Sequence, residues 1–308
     1  LTTKKFGVLI LYFDCDQFIL RTIENCAQHV DKIYVSYSPL PWSAYNKDAR
    51  EKFPNPVNPE ILKTSPHYDK IELIEGVYDT EEEQRNAVVK KANEDDMDYL
   101  IIQDADEFYL KEEYEKLLSG ILENPNHDYY RTPWYFFWKD LNHVILSKHP
   151  KRNNPNKAYT PTMVSYNACT AINLKKGIHF TDKRKVNSSS FFIVDALCYH
   201  LSYVLNSEQL DRKLKTWGHS GQVDIASWYT FKWLAWTPKT KNLHPVDPHQ
   251  WVAAKKVSLE MPKALDGFEI EEQQPLKLSL SQSIKHKLKD AKSIATYYVK
   301  DLKHIIRS

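Results

Sequence analysis

Short apolar runs alternate with stretches of helical spacing through the first hundred residues. This alternation constrains the fold more than any other feature. Phe6-Gly-Val-Leu-Ile-Leu-Tyr-Phe13 reads as a β-strand, and Asp16 to His29 carries Phe18, Ile19, Ile23, Cys26 and Ala27 at helical intervals. Lys32-Ile-Tyr-Val-Ser-Tyr37 reads as a second strand. Strand, helix and strand in that order predict a right-handed parallel crossover. Prolines 39, 41, 54, 56, 59 and 66 then mark a long loop, with a short helix over Ala44 to Lys52. A third strand, Ile71 to Ile74, is followed by a helix over Glu81 to Glu94, whose acidic first turn suits its positive dipole end.

The next stretch, Tyr99-Leu-Ile-Ile-Gln-Asp-Ala-Asp-Glu-Phe108, reads as a fully covered strand ending in two aspartates. In an extended chain the side chains at i and i+2 point the same way, so Asp104 and Asp106 are expected on one side with Ala105 facing away. Adjacent carboxylates repel unless a cation sits between them, and oxygen ligands suit Mg²⁺ or Mn²⁺. The carboxyl end of a strand is also where open α/β sheets bind ligands.

The second half predicts a helix over Lys111 to Glu123, an aromatic strand over Tyr129 to Trp138, and further strands over Met163 to Asn173 and Phe191 to Tyr199. After Leu205 the sequence turns helical and Trp-rich. The expected organisation is therefore an α/β domain over 1–205 and a mainly helical extension over 206–308. The extension closes on a basic segment, with Ile284, Leu288, Ala291, Ala295, Tyr298, Leu302 and Ile305 on four- and three-residue steps. That seam predicts packing on its own domain or on a second copy, as a dimer. The alternative is peripheral membrane contact through 281–308.

Composition excludes several function classes. A net charge of +2 gives no global field for nucleic acid. Seven glycines form neither a dinucleotide-binding fingerprint nor a phosphate-binding loop, so a phosphate site here needs a cation and basic side chains. Cys15, Cys26, Cys169 and Cys198 have no metal-site spacing, and reduced thiols are expected. No apolar run is long enough to span a membrane, and no signal peptide is visible; the expected location is the cytoplasm, up to the cytosolic face of a membrane. The 13% aromatic content includes eight Trp. Trp134, Trp138 and Trp228 are candidates for a platform that stacks a sugar, because the less polar face of a sugar ring packs on aromatic rings. Lys215-Thr-Trp-Gly-His219 could bring His219 to phosphates from a loop; the competing reading is a helix end at Gly218.

The strand–helix–strand order, then Thr80-Glu-Glu-Glu-Gln-Arg-Asn86 on a helix, then Gln103-Asp-Ala-Asp-Glu-Phe108, resembles family 2-like glycosyltransferases of the GT-A fold. The likeness covers residues 5–110 well and 160–205 more loosely. It implies a Rossmann-like mixed sheet flanked by helices, with an extension that completes the acceptor side. It implies transfer of a sugar, with inversion, from a UDP- or GDP-type nucleotide sugar to a glycan or other hydroxyl acceptor. It also implies Mn²⁺ or Mg²⁺ held by Asp104, Asp106 and a late histidine, placed here at His200, with Asp106 the better direct ligand. Donor contacts are expected from Tyr12, Asp14, Arg85, Asn86 and Asp104. The family's acidic residue after the second strand is absent; Ser36-Tyr-Ser-Pro-Leu-Pro-Trp42 stands there. Inverting transfer needs a general base, and Asp182, Asp195 and His179 are the candidates. Two alternatives share the sheet type. A sugar-nucleotide nucleotidyltransferase would want an early Gly-rich loop, and the first strand offers only Gly7. A non-catalytic sugar-binding module would not need Asp104, Asp106, Arg85 and His200 together.

Overall fold

A computed structural model describes residues 4–45, 47–148, 162–166, 169–218, 224–246, 248, 250–271, 274–288, 290–292 and 295. In chain order the first elements are β1 (Phe6–Tyr12), α1 (Asp16–Ala27), β2 (Lys32–Tyr37), α2 (Ala49–Lys52), β3 (Ile71–Glu75), α3 (Glu81–Glu94), β4 (Tyr99–Ile102), β5 (Glu107–Phe108) and α4 (Lys111–Glu123). Then come β6 (Tyr129–Arg131), β7 (Pro133–Trp138), β8 (Asp140–Ser147), β9 (Val164–Tyr166), β10 (Ala171–Asn173), β11 (Phe180–Asp182), β12 (Lys185–Val186), β13 (Phe191–Ile193) and β14 (Cys198–Tyr203). The last are α5 (Ser207–Thr216), α6 (Ile225–Trp228), which runs on as a π-helical stretch Tyr229–Leu234, and β15 (Trp251–Lys256).

The class is α/β, as expected: a mixed sheet with helices on both faces. A seven-stranded sheet has the order β13-β6-β10-β4-β1-β2-β3. Its β4-β1-β2-β3 part is parallel, and β10 runs antiparallel to β4 and β6. Alternation along β1 explains the layering: Val8 and Ile10 join one core with Phe18 and Ile23 of α1, while Leu9 joins a second core with Val88 of α3. A capping box starts α3, with Thr80 and Glu83 bonding each other's backbone N–H.

A second sheet, β15-β8-β7-β14-β5, with β9 beside β7, packs against this frame. The chain passes between the two sheets five times: from β4 to β5, β5 to β6, β6 to β7, β9 to β10 and β13 to β14. Three segments expected to be single strands, Tyr129 to Trp138, Met163 to Asn173 and Phe191 to Tyr199, are each divided this way. Both halves of each are β-structure, so periodicity carries no mark of the crossing.

The expected boundary at residue 205 is not a break in packing. One core cluster runs from Phe6 to Leu265, and β15 pairs with β8 in the second sheet. Arg21 of α1 donates to the carbonyls of Ala264 and Asp266 at 2.9 Å. The late helical segment touches the body through His286, stacked on Phe231 at 4.4 Å, and Asp290, paired with Lys232. Of the proposed apolar seam, Ile284 and Leu288 are exposed, and Tyr298, Leu302 and Ile305 lie outside the described residues. No helix among the described residues is long and apolar enough to cross a membrane. All four cysteines are buried free thiols.

Candidate functional site

A cavity of about 290 Å³ opens at the carboxyl ends of β1 and β4. Asp14, Arg85, Asp104, Asp106, His200 and Lys213 all line it.

Asp104 and Asp106 do not sit on an extended strand. β4 stops at Ile102, and a turn closed by Glu107 N–H donating to the Asp104 carbonyl at 2.9 Å carries the chain into β5. Both aspartates reach the cavity, and Ala105 between them borders it while belonging to the main core cluster. The turn is held from below. Gln103, wholly buried, donates to the Glu107 carbonyl at 2.8 Å and accepts from the Tyr114 hydroxyl at 3.1 Å. Thr22 donates to the Ala105 carbonyl, and Leu201 N–H of β14 donates to the Asp106 carbonyl at 2.8 Å.

Each carboxylate has its own cationic partners. Arg85 Nη2 lies 3.0 and 3.1 Å from the two Asp104 oxygens, and Nε and Nη2 also hold Glu81 at 3.0 and 2.8 Å. Burial pushes Asp104 up, but the Arg184 and Arg85 guanidiniums outweigh it and hold the carboxyl below its usual range. Asp106 Oδ1 is 3.3 Å from His200 Nε2, and its Oδ2 is 3.3 Å from Lys213 Nζ. Burial opposes the charged form here as well, and Lys213 and His200 overcome it, so Asp106 is held far below the usual carboxylate range. Glu107 points elsewhere: Arg184 grips it at 2.7 and 3.0 Å, and burial raises its carboxyl despite that pair.

Carboxylate and imidazole atoms of Asp106, Glu107 and His200 fall within 4.8 Å of one another. Glu107 is committed to Arg184, which leaves Asp106 and His200 as the pair that faces the cavity. One carboxylate and one imidazole suit Mn²⁺ or Mg²⁺ when a ligand supplies further oxygens. Two features bear on that fit. Among the described residues His200 Nδ1 has no hydrogen-bond partner, and the ring is oriented by packing on Trp134 at 4.7 Å and Phe136 at 4.9 Å together with its Asp106 contact. Lys213 Nζ already neutralises one Asp106 oxygen, so a cation there meets a resident ammonium, itself held by Ser202 Oγ at 2.7 Å and the Ser202 carbonyl at 2.9 Å.

The loop after β1 contributes Phe13 and Asp14. Asp14 has a left-handed backbone, φ 49°. Its N–H donates to Asn55 Oδ1 at 3.1 Å, and Asn55 Nδ2 donates to the carbonyls of Tyr12 and Ser38, tying the ends of β1 and β2 together. Burial pushes the Asp14 carboxyl up to about 6, against the pull of Arg212, whose Nε is 2.8 Å away. Across the mouth, Leu40, Pro41 and Trp42 form a wall; Trp42 Nε1 donates to Gln84 at 2.8 Å, and Gln84 holds Ser36.

Several expected site residues lie elsewhere. Tyr12 is wholly buried and its hydroxyl bonds to Asp16. The Asn86 amide exchanges two hydrogen bonds with the Phe180 backbone, at 2.8 and 2.9 Å, and so anchors the β11–β12 hairpin instead of facing a ligand. Trp134 is buried beneath His200 and Arg184, whose guanidinium carbon is 5.0 Å from its ring centroid. Trp138 and Trp228 are core: Trp138 is wholly buried among Tyr203, Trp228, Trp233 and Trp251. These three therefore offer no acceptor platform. Asp182, Asp195 and His179 are exposed and lie off this cavity; Asp182 borders a second one, described below. α5 ends at Thr216, with Trp217 and Gly218 lining the cavity, and His219 lies outside the described residues.

Arg184, Arg212, Lys213, Gln84 and Asn55 belong to the site and were not singled out from the sequence. Arg212 and Lys213 look like ordinary charges on an amphipathic helix, and only the placement of α5 over the turn gives them a role.

No protein-family model matches this chain, and no curated protein sequence matches it. Similar solved structures exist. The 4-diphosphocytidyl-2C-methyl-D-erythritolsynthase of Anaerococcus prevotii is 11% identical with a TM-score of 0.37, covering 68% of this chain and 94% of its own. S. aureus TarS is 10% identical with a TM-score of 0.38, covering 75% of this chain and 48% of its own. The mannose-1-phosphate geranyltransferase of Thermus thermophilus is 13% identical with a TM-score of 0.30, covering 53% of this chain and 50% of its own. The chain thus spans about half the length of the last two. At such identities and scores, reaction and substrate must be argued from this chain's own residues.

Proposed function

We propose that this chain is a divalent-cation-dependent glycosyltransferase of GT-A type, moving a sugar with inversion from a nucleoside-diphosphate sugar to a hydroxyl acceptor. The observation that carries the reading is Asp106 facing His200 at 3.3 Å, with Asp104 in the same cavity at the carboxyl ends of parallel strands.

In this reading Asp106 and His200 hold Mn²⁺ or Mg²⁺, whose positive charge would stabilise the leaving diphosphate. Asp104, fixed by Arg85, orients the donor's ribose. The Trp42 wall faces the nucleoside base, a role that needs no acidic residue after β2. Lys213, 3.3 Å from Asp106 and on the lining of the same cavity, would offer its ammonium to a phosphate oxygen. Asp182 remains the carboxylate we assign to acceptor deprotonation, because it borders the neighbouring cavity. We favour glycosyl over nucleotidyl transfer because the lining of the first cavity offers cationic side chains and no Gly-rich backbone nest among the described residues.

The test is thermal unfolding with UDP, GDP, CDP and ADP, each with and without Mn²⁺. Stabilisation by one nucleoside diphosphate only when metal is present supports the reading. Metal-indifferent stabilisation, or none, would remove it.

A further inference from the structure

A second cavity, about 640 Å³, lies beside the first, and apart from Asp182 at its border its lining has no role so far. Its size is within the range of ordinary small-molecule sites. Glu81 and Lys183 line both cavities, so the two meet at that border.

The lining of the second cavity is cationic. Arg131, Lys183, Arg184 and Lys185 border it against the carboxylates of Glu81 and Asp182. Glu81 is already neutralised by Arg85. Arg184 is more than nine-tenths buried; its Nη atoms are held by Glu107, and only its Nε has no hydrogen-bond partner among the described residues, so the cationic excess rests on Arg131, Lys183 and Lys185. Ser189 also lines the space, beside Ser188, whose hydroxyl donates to Asp128 at 2.6 Å. One wall is aromatic: Tyr129 and Phe191 have ring centroids 5.4 Å apart, and Arg131 sits 5.0 Å over the Phe191 ring. Phe191 is 38% exposed, so part of its ring edge is open to the cavity beside Arg131 and Tyr129. Rings bordered by guanidinium, ammonium and hydroxyl groups match a sugar that carries a negative charge: the ring face stacks and the anion pairs.

Building on the glycosyltransferase reading, we infer that this second cavity is the acceptor site and that it selects an anionic sugar, one bearing a phosphate or a carboxylate. A hydroxyl of that acceptor reaches the donor across the Glu81–Lys183 border. Asp182, at the same opening, is positioned to accept its proton.

The test uses the full chain and four probes: glucose 6-phosphate, glucuronate, glucose and inorganic phosphate, with binding followed by ligand-observed NMR and titration calorimetry. The charged sugars are expected to bind more tightly than either glucose or phosphate alone. Lys185→Glu, at an exposed position on β12, should weaken the charged sugars about fivefold or more, as reversal of a charge at a partly solvated ion pair does. Phe191→Ser should weaken the sugars and leave inorganic phosphate where it was. Glucose binding as tightly as its phosphate would overturn the inference. So would inorganic phosphate competing as well as the phosphosugar, or Lys185→Glu changing nothing. Stabilisation by a nucleoside diphosphate with Mn²⁺ is measured in parallel: its failure alongside intact phosphosugar binding counts against the donor assignment and for a separate anionic-sugar site.

Discussion

Arg85 Nη2 lies 3.0 and 3.1 Å from the two carboxylate oxygens of Asp104, and the same guanidinium holds Glu81, one helical turn back. Arg85 is only 1% exposed, so the helix that starts at Thr80 and the turn that ends β4 are joined by a buried ionic clamp. Leaving two carboxylates without their cation is costly. Arg85→Met should lower stability by about 3–5 kcal/mol. Arg85→Lys should recover only part of this, because an ammonium cannot grip both acids. Urea unfolding at constant m-value reads the difference; a loss under about 1 kcal/mol would mean the clamp contributes little.

Asp106→Asn and His200→Ala should each abolish the metal-dependent part of nucleotide stabilisation, since each removes one of the two facing ligands. If the glycosyltransferase reading holds, turnover should fall about 10²-fold or more, as loss of charge stabilisation on a leaving group does. Donor hydrolysis and sugar transfer are assayed separately, with folding checked by circular dichroism. Wild-type metal response in Asp106→Asn would contradict the assignment.

Lys213 pairs with Asp106 at 3.3 Å, so under the proposed function it would compete with a cation for that carboxylate. Lys213→Met should therefore tighten Mn²⁺ binding to the nucleotide-free protein, read by electron paramagnetic resonance of the free ion, while weakening nucleoside diphosphate binding. Movement of both affinities in the same direction would exclude this exchange of partners.

The Asp14 carboxyl, raised by burial to about 6, makes stability depend on pH. Its unfolded value is about 3.9. A raised folded value means its contribution is complete below pH 4 and is lost as pH rises through 6. The span is worth at most about 3 kcal/mol, and less to the extent that solvent screens a partly hydrated carboxyl. In the wild type this contribution declines across pH 4–6. Asp14→Asn removes the decline, so its stability should show a more positive slope against pH than the wild type. Identical slopes would show that Asp14 titrates normally.

Trp138→Ala should cost about 3–5 kcal/mol, the cost of emptying a buried indole from a core. Its effect on phosphosugar binding should be nil once the protein is kept folded at low temperature. Selective loss of acceptor binding with stability intact would restore Trp138 to a recognition role.

Local pattern was enough to find most elements of the first sheet. Lys32–Tyr37, Glu81–Glu94 and Lys111–Glu123 have the bounds that periodicity and capping residues predict, because hydrophobic alternation and helix ends are written in neighbouring residues. The same reading marked Asp104 and Asp106, whose charge stands out at the end of a buried strand, whereas Arg85 and His200 were marked by the resemblance to a known family. Other features became definite only in the packed molecule. Whether a β-run stays in one sheet or crosses to another, as Tyr129 to Trp138 does at Thr132, depends on which surface covers it. Whether a tryptophan is core or platform depends on the same thing. Arg212 and Lys213 acquire their partners, Asp14 and Asp106, only when α5 is laid over the turn from about a hundred or more residues away in sequence. Pairings at that separation come from the packing of whole elements, and no local pattern encodes them.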